Sequence, residues 1–173
     1  TFTAPSPVCE GQPSTITYTG TQVTGAQYIW GFDGGTVVSG TGPGPYQVTW
    51  PTAGVRNVTL QVNLGSCTTA VNTVPVTVMP NPVVTITAPN SAICSGQSVL
   101  LTASGAASYS WTPASSLNAS TGTVVTASPP VETTYTAYGT GTNGCIAPGT
   151  FTVDVDVFQL LFRESMGIVT STT

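Results

Sequence analysis

The stretch Cys9-Glu10-Gly11-Gln12-Pro13-Ser14-Thr15-Ile16-Thr17 is echoed by Cys94-Ser95-Gly96-Gln97-Ser98-Val99-Leu100-Leu101-Thr102. After each copy come two aromatic residues separated by a single residue, Tyr28 and Trp30 in the first and Tyr109 and Trp111 in the second. A second cysteine, Cys67 or Cys145, lies near the end of each copy. Such a duplication governs the architecture of a chain. In 173 residues it predicts two domains of the same build.

The four cysteines have the regular spacing of a disulfide framework in an oxidising compartment. Three connectivities are possible. We favour one bond within each repeat, Cys9–Cys67 and Cys94–Cys145, because both repeats then carry the same bridge. Free buried thiols are the alternative. Metal ligation is less favoured, since the chain has no histidine and no CxxC motif.

Charge is unusually scarce. Only 5% of the residues are charged, against about 25% in a typical soluble domain, and the net charge is −4. With Arg56 and Arg163 as the only bases, the chain offers no phosphate-binding surface, which argues against nucleic acid as a partner. Without histidine or lysine, a Ser-His-Asp or Cys-His arrangement is impossible. The six scattered acids are poor candidates for a glycosidase pair, so we predict no enzyme.

Threonine and valine are abundant, glycine and proline recur between short alternating segments, and no helical period is present. About seven short strands per repeat predict two immunoglobulin-like β-sandwiches. The expected limits are 1–79 for the first sandwich, 80–82 for a stiff proline-containing linker, 83–157 for the second sandwich and 158–173 for a C-terminal tail. The longest apolar run, in the tail, is too short to span a bilayer.

The residues also resemble known families. Tyr28-Ile29-Trp30-Gly31-Phe32-Asp33-Gly34-Gly35 is similar to the aromatic-x-Trp-x-Phe-Gly-Asp-Gly motif of PKD domains. The second repeat resembles the Ig-like modules of large secreted proteins of Bacteroidota, in Cys94-Ser95-Gly96-Gln97, Tyr109-Ser110-Trp111-Thr112-Pro113 and Asn143-Gly144-Cys145. The resemblance implies a sandwich fold, export to the cell surface and a non-catalytic role in spacing, adhesion or assembly. The absence of an N-terminal signal sequence then predicts a mature or excised fragment.

Few residues are candidates for binding. The core is expected to hold the aromatic residues of both repeats, Tyr28, Trp30, Tyr109 and Trp111. For Trp50, exposure is the less favoured alternative. Asp33, in a glycine-rich turn, is a weak candidate for a calcium ligand, because a single carboxylate supplies few of the oxygen ligands that Ca²⁺ requires. No other cofactor is expected. The apolar segment of the tail is a candidate assembly strand that adds to a neighbour's sheet; its large side chains are Phe158, Leu160, Leu161 and Phe162.

The predicted function is that of an extracellular structural or adhesive module pair from a surface protein, appendage or filament. It is expected to associate with further copies of itself or with neighbouring Ig-like modules through sheet edges, since almost no charge keeps those edges apart. A surface glycan is a further candidate partner. The alternative function is that of carbohydrate-binding or spacer modules attached to a secreted hydrolase.

Overall fold

The computed structural model describes residues 1–156, and within them every regular element is a β-strand. The predicted tail, which holds the candidate assembly strand, lies outside the described residues. Strands of the first sandwich are β1 (Phe2–Thr3), β2 (Val8–Cys9), β3 (Ser14–Tyr18), β4 (Gln27–Gly31), β5 (Thr36–Ser39), β6 (Tyr46–Thr49), β7 (Gly54–Leu64), β8 (Cys67–Thr68) and β9 (Asn72–Met79). Strands of the second are β10 (Thr85–Thr87), β11 (Ala92–Cys94), β12 (Val99–Ser104), β13 (Ser108–Thr112), β14 (Val124–Ala127), β15 (Thr133–Thr140) and β16 (Ile146–Asp156).

The chain forms two tandem immunoglobulin-like sandwiches. In the first, a sheet ordered β1-β3-β6-β5 faces a sheet ordered β2-β9-β7-β4, with β8 paired to β7. In the second, β10-β12-β14 faces β11-β16-β15-β13. Each sandwich encloses its own cluster of buried side chains, and no residue is shared between the two clusters.

Alternation along the strands builds these cores. In β12, for example, Val99, Leu101 and Ala103 point inward while the residues between them are less buried. Successive side chains of a strand point to opposite faces of the sheet, so a period of two places one apolar row against the opposing sheet. The threonines and serines between these rows provide the outer faces.

Both sandwiches begin in the same way. The first strand pairs antiparallel with one sheet, as β1 does with β3 and β10 with β12. The chain then crosses over, and a second short strand pairs parallel with the last strand of the other sheet, as β2 does with β9 and β11 with β16. Cys9 and Cys94 end these crossing strands, opposite Met79 and Asp156. The repeated cysteines therefore mark the end of each sandwich at which its last strand finishes.

The aromatic pairs differ in burial. Tyr109 and Trp111 are 6% and 4% exposed, within the second core. Tyr28 and Trp30 are only half-buried and pack against the rim of the first core. The expectation that Tyr28 and Trp30 are core residues is corrected to this extent. Trp50, for which exposure was the less favoured alternative, is 1% exposed. Trp50 belongs to the first core and donates its indole N–H to the Phe32 carbonyl at 2.7 Å.

Candidate functional site

The candidate site is a covalent joint between the two sandwiches. A disulfide connects Cys9, at the end of β2, to Cys145, which directly precedes β16. Their Cα atoms are 5.6 Å apart, and 136 positions separate them in sequence. Cys145 is almost completely buried. We use "the joint" for this bond together with Glu10, the linker residues 80–82 and Asn143.

The predicted bonds Cys9–Cys67 and Cys94–Cys145 are wrong in this structure, and strand geometry explains why. In the first sandwich Cys9 lies at the Gly54 end of β7, because Cys9 and Gly54 flank the end of β9, whereas Cys67 pairs with Leu64 at the other end. Eleven residues of strand separate those ends by about 33 Å. A disulfide requires Cα atoms within about 7 Å.

The second sandwich repeats this separation. Cys145 precedes the first residue of β16, whereas Cys94 pairs with Asp156 at its last residue, again eleven residues along. A bond within either sandwich would have to span the length of the domain. Cys67 and Cys94 are consequently free and exposed.

One carboxylate fastens the first sandwich to the linker. Glu10 Oε1 accepts a hydrogen bond from the Ala53 amide at 2.6 Å, and Oε2 accepts one from the Asn81 amide at 3.1 Å. The Glu10 carbonyl accepts a further bond from Asn81 Nδ2 at 3.1 Å, and its own amide donates to the Met79 carbonyl at 3.0 Å. Hydrogen bonds to an ionised acceptor are stronger than neutral ones. The chain on both sides of Cys9 is therefore held in place.

Asn143 fastens the second sandwich to the same linker. Its Nδ2 donates to the Pro80 carbonyl at 2.8 Å, and its Oδ1 accepts from the Cys145 amide at 3.1 Å. One side chain thus orients the cysteine and binds the linker at once. The prolines at both ends of 80–82 restrict φ, so the joint combines a covalent bond, directed hydrogen bonds and a stiff connection.

A cavity of about 470 Å³ adjoins the joint, lined by linker residues and small side chains such as Gly105, Ala106 and Thr142. It contains no charged side chain among its lining residues. Among residues 1–156, the buried Asn81 Oδ1 has no hydrogen-bond partner. The lining residues offer amide and hydroxyl groups but no carboxylate, amine or thiol.

Asp33 has a local structural role. It adopts a φ of 45° in the turn after β4, and its Oδ2 accepts a hydrogen bond from the Asn57 amide at 2.9 Å. This ties the turn to β7. Within residues 1–156 no group of three or more acidic, cysteine or histidine residues gathers as a metal site would require. Calcium binding by Asp33 stays a prediction.

Sequence reasoning missed Glu10, Asn81 and Asn143 as parts of the joint. A signal was available for the first, because Glu10 is one of only six acids and directly follows a repeated cysteine. In the sequence, Asn143 stands out only through the motif Asn143-Gly144-Cys145, which resembles the Ig-like modules. Its second contact, with a linker carbonyl 63 residues away, has no local signature.

No protein-family model matches the chain, and no curated protein sequence matches it. Solved structures resemble it at low identity. The mouse nectin-like molecule 4 ectodomain is 14% identical, with 92% of this chain and 64% of that chain covered and a TM-score of 0.38. The Yersinia pseudotuberculosis adhesin InvE is 19% identical, with 88% and 58% covered and a TM-score of 0.36.

A C-terminal fragment of intimin, solved with the intimin-binding domain of its translocated receptor, is 14% identical, with 89% of this chain and 62% of that chain covered and a TM-score of 0.45. The chain thus spans less than two thirds of each of these three structures. The likeness concerns the immunoglobulin-like fold and extends no further. In residues 1–156 there is no helix long and apolar enough to cross a membrane.

Proposed function

We propose that the chain is a non-catalytic, load-bearing module pair of an extracellular structural or adhesive protein. The observation that carries this proposal is the Cys9–Cys145 bond across the joint. Disulfides form and persist in oxidising surroundings such as the cell exterior. The bond stiffens the connection between the two sandwiches, and a mechanical role fits it better than a catalytic one.

The position of the bond supports a mechanical role. Residues 1–9 run along the first sandwich to the joint, since Thr1 lies beside Thr69 near the β7–β8 turn while Cys9 lies at the other end. From Cys145, β16 runs along the second sandwich to Asp156. A covalent line therefore leads from residue 1 through the disulfide to residue 156. The chain between the two cysteines is excluded from that line.

Sheet edges support association with further copies. All four residues of the edge strand β5 are exposed, including Val37 and Val38, and none is charged. Proteins ordinarily protect such edges with lysine, proline or bulges. The single irregularity in the pairing of β5 with β6, between Val37 and Ser39, is modest protection. Self-association through strand edges is therefore part of the proposal.

The finer assignments rest on the sequence motifs. We assign the first sandwich to the PKD type and the second to the Ig-like modules of Bacteroidota surface proteins, with the domain limits given above. The absence of a resident cofactor belongs to the same proposal. The alternative of a carbohydrate-binding module gains no support from Trp50, because this ring lies in the core and offers no face to a sugar.

Single-molecule stretching tests the load-bearing role. The full chain is pulled by its two ends, first oxidised and then in a reducing agent. The 136-position loop should stay closed in the oxidised chain and add on the order of 40 nm of extension after reduction. Cys67→Ser is the matched control, because it removes a cysteine and keeps the bond. Equal extension of oxidised and reduced chains would contradict the proposal.

A further inference from the structure

Two cysteines have no partner in the chain, and each is the structural counterpart of one member of the bonded pair. Cys94 corresponds to Cys9. Both end the crossing strand of their sandwich, and both accept a turn hydrogen bond from a glutamine amide three residues on, Gln12 at 3.1 Å and Gln97 at 3.0 Å. A glycine with φ near +70° to +85° lies inside each turn, Gly11 at 71° and Gly96 at 83°.

Cys67 corresponds to Cys145. Each lies in the turn region that follows the long strand paired with the last strand of its sandwich. That long strand is β7 in the first sandwich and β15 in the second. The turns differ in length. Cys67 pairs with Leu64 across two residues, whereas Cys145 accepts a bond from the Gly141 amide at 2.8 Å across a longer turn. Both positions nevertheless lie at the end of the sandwich opposite the crossing-strand cysteine.

The joint therefore follows a rule: the crossing-strand cysteine of one sandwich bonds to the turn cysteine of the next. Applied once, the rule uses Cys9 and Cys145. It leaves Cys94 at the outer end of the second sandwich and Cys67 at the outer end of the first, both exposed. These two cannot bond to each other within one chain, because the length of a sandwich separates each of them from the joint.

We propose that Cys94 of one copy forms a disulfide with Cys67 of a second copy, which produces a covalent head-to-tail filament. The contact is heterologous, so each copy keeps one free cysteine at either end and the contact can repeat from copy to copy. This proposal relies on the oxidising location of the proposed function, while the choice of partners rests on the repeated geometry alone.

The surroundings of Cys67 suit a covering partner. Val23, Ala26, Val62 and Leu64 line an apolar cavity of about 260 Å³ beside the thiol. Val23 and Leu64 are each 45% exposed. No charged side chain lines this cavity, so the Cys67 side of the contact desolvates no ion, while the approaching face carries the exposed Asp156 beside Cys94. In the joint itself, the corresponding turn cysteine is covered almost completely.

The reaction is an oxidation and needs an acceptor. One S–S bond forms, two S–H bonds break, and two protons and two electrons leave the pair of thiols. A small disulfide such as oxidised glutathione accepts them through a mixed disulfide and is released as two thiols. The Cys9–Cys145 bond is not consumed.

The experiment mixes two single variants of the full chain, Cys67→Ser and Cys94→Ser, in equal amounts with a glutathione redox buffer. Each variant has one outer thiol, so only dimers can form. Disulfide-linked peptides are then quantified by mass spectrometry. We expect the Cys67–Cys94 peptide to exceed each symmetric peptide by about tenfold, since docking of matched faces raises the effective concentration of the correct pair. Unmodified chains should form a ladder of covalent oligomers.

Random pairing would give the mixed peptide at only about twice each symmetric one by simple statistics, and that ratio would overturn the proposal. A ladder linked through Cys9 or Cys145 would overturn it as well. The double variant Cys67→Ser/Cys94→Ser should remain a covalent monomer with Cys9–Cys145 intact. The stretching experiment depends on that inner bond alone, so a chain that keeps Cys9–Cys145 but pairs its outer cysteines at random would overturn this proposal and leave the proposed function standing.

Discussion

The two sandwiches place the same sequence signal in different environments. Trp111 lies in the core of the second sandwich at 4% exposure and donates to the Gly122 carbonyl at 2.8 Å. Trp30, at the matching position of the first, is half-buried and donates to the Gly42 carbonyl at 3.1 Å. It forms part of an aromatic cluster with Phe2, Phe32 and Tyr46. Repetition in sequence therefore fixes a residue's place on a strand but not its depth.

The opposing sheets of the two sandwiches also differ. Strand pairing matches Ser14 to Val48 in the first sandwich and Val99 to Ala127 in the second, so Trp50 and Pro129 occupy equivalent positions. Both are fully buried. This buried position therefore holds a much larger side chain in the first sandwich than in the second.

The cross-strand neighbours act in the same direction. Leu60 and Val62 lie opposite Trp30 and Tyr28, whereas Ala137 and Gly139 lie opposite Trp111 and Tyr109. Larger neighbours on the adjacent strand leave less room for an aromatic ring. Close packing does not tolerate two large residues where there is volume for one.

The largest effect should come from the joint that both sandwiches share. Cys9→Ser opens a 136-position loop, which is worth about 5 kcal/mol of unfolding free energy in the chain-entropy model. Urea unfolding followed by circular dichroism measures the loss. Cys67→Ser, at a free and exposed cysteine, should leave the midpoint unchanged. Equal losses in the two variants would mean that the bond does not form as described.

The tryptophan comparison predicts the next largest effect. Trp111→Ala should cost about 3–5 kcal/mol, because it empties the centre of the second core. Trp30→Ala should cost less, about 1–2 kcal/mol, because its ring is partly in water already. Thermal unfolding of the two variants compares them directly. A greater loss for Trp30→Ala would break the assignment of Trp30 to the rim.

Glu10→Gln isolates the carboxylate of the joint. Its amide keeps the size of the side chain but removes the charge and one acceptor, so the bonds from Ala53 and Asn81 weaken. We expect a loss of about 1–2 kcal/mol in urea unfolding. Ser95→Ala, at the equivalent position of the second sandwich, is the matched control and should have no effect. An equal loss of unfolding free energy in the control would contradict a specific role of the Glu10 carboxylate in the joint.

The sequence was sufficient for the architecture, because period-two alternation and recurring turns are local signals. The all-β class and the two immunoglobulin-like sandwiches follow from these patterns. The disulfide pairing was not accessible in this way. Cys9 and Cys145 meet only because the two sandwiches are joined end to end, and that relation has no expression in residue spacing. The half-buried position of Trp30 likewise has no sign in residue spacing, since the Tyr28–Trp30 and Tyr109–Trp111 pairs are spaced alike.

The smallest effect concerns the hydroxyl of Tyr46, which belongs to the aromatic cluster of the first sandwich. The described part of the second sandwich has no such cluster of ring contacts. Burial raises the pKa of Tyr46 above its ordinary value of 10.0, and its hydroxyl donates to the Gly42 carbonyl at 3.1 Å. The folded state thus favours the neutral phenol. The stabilisation this provides is complete below the unfolded pKa and is lost as pH rises through the folded one.

Urea midpoints measured from about pH 8 to 11.5 should therefore fall at the alkaline end. Tyr46→Phe should lower the midpoint at neutral pH by less than about 1 kcal/mol and reduce the alkaline fall. An unchanged alkaline fall in Tyr46→Phe would assign the effect to another tyrosine, and the cluster would then contribute packing alone to the difference between the sandwiches.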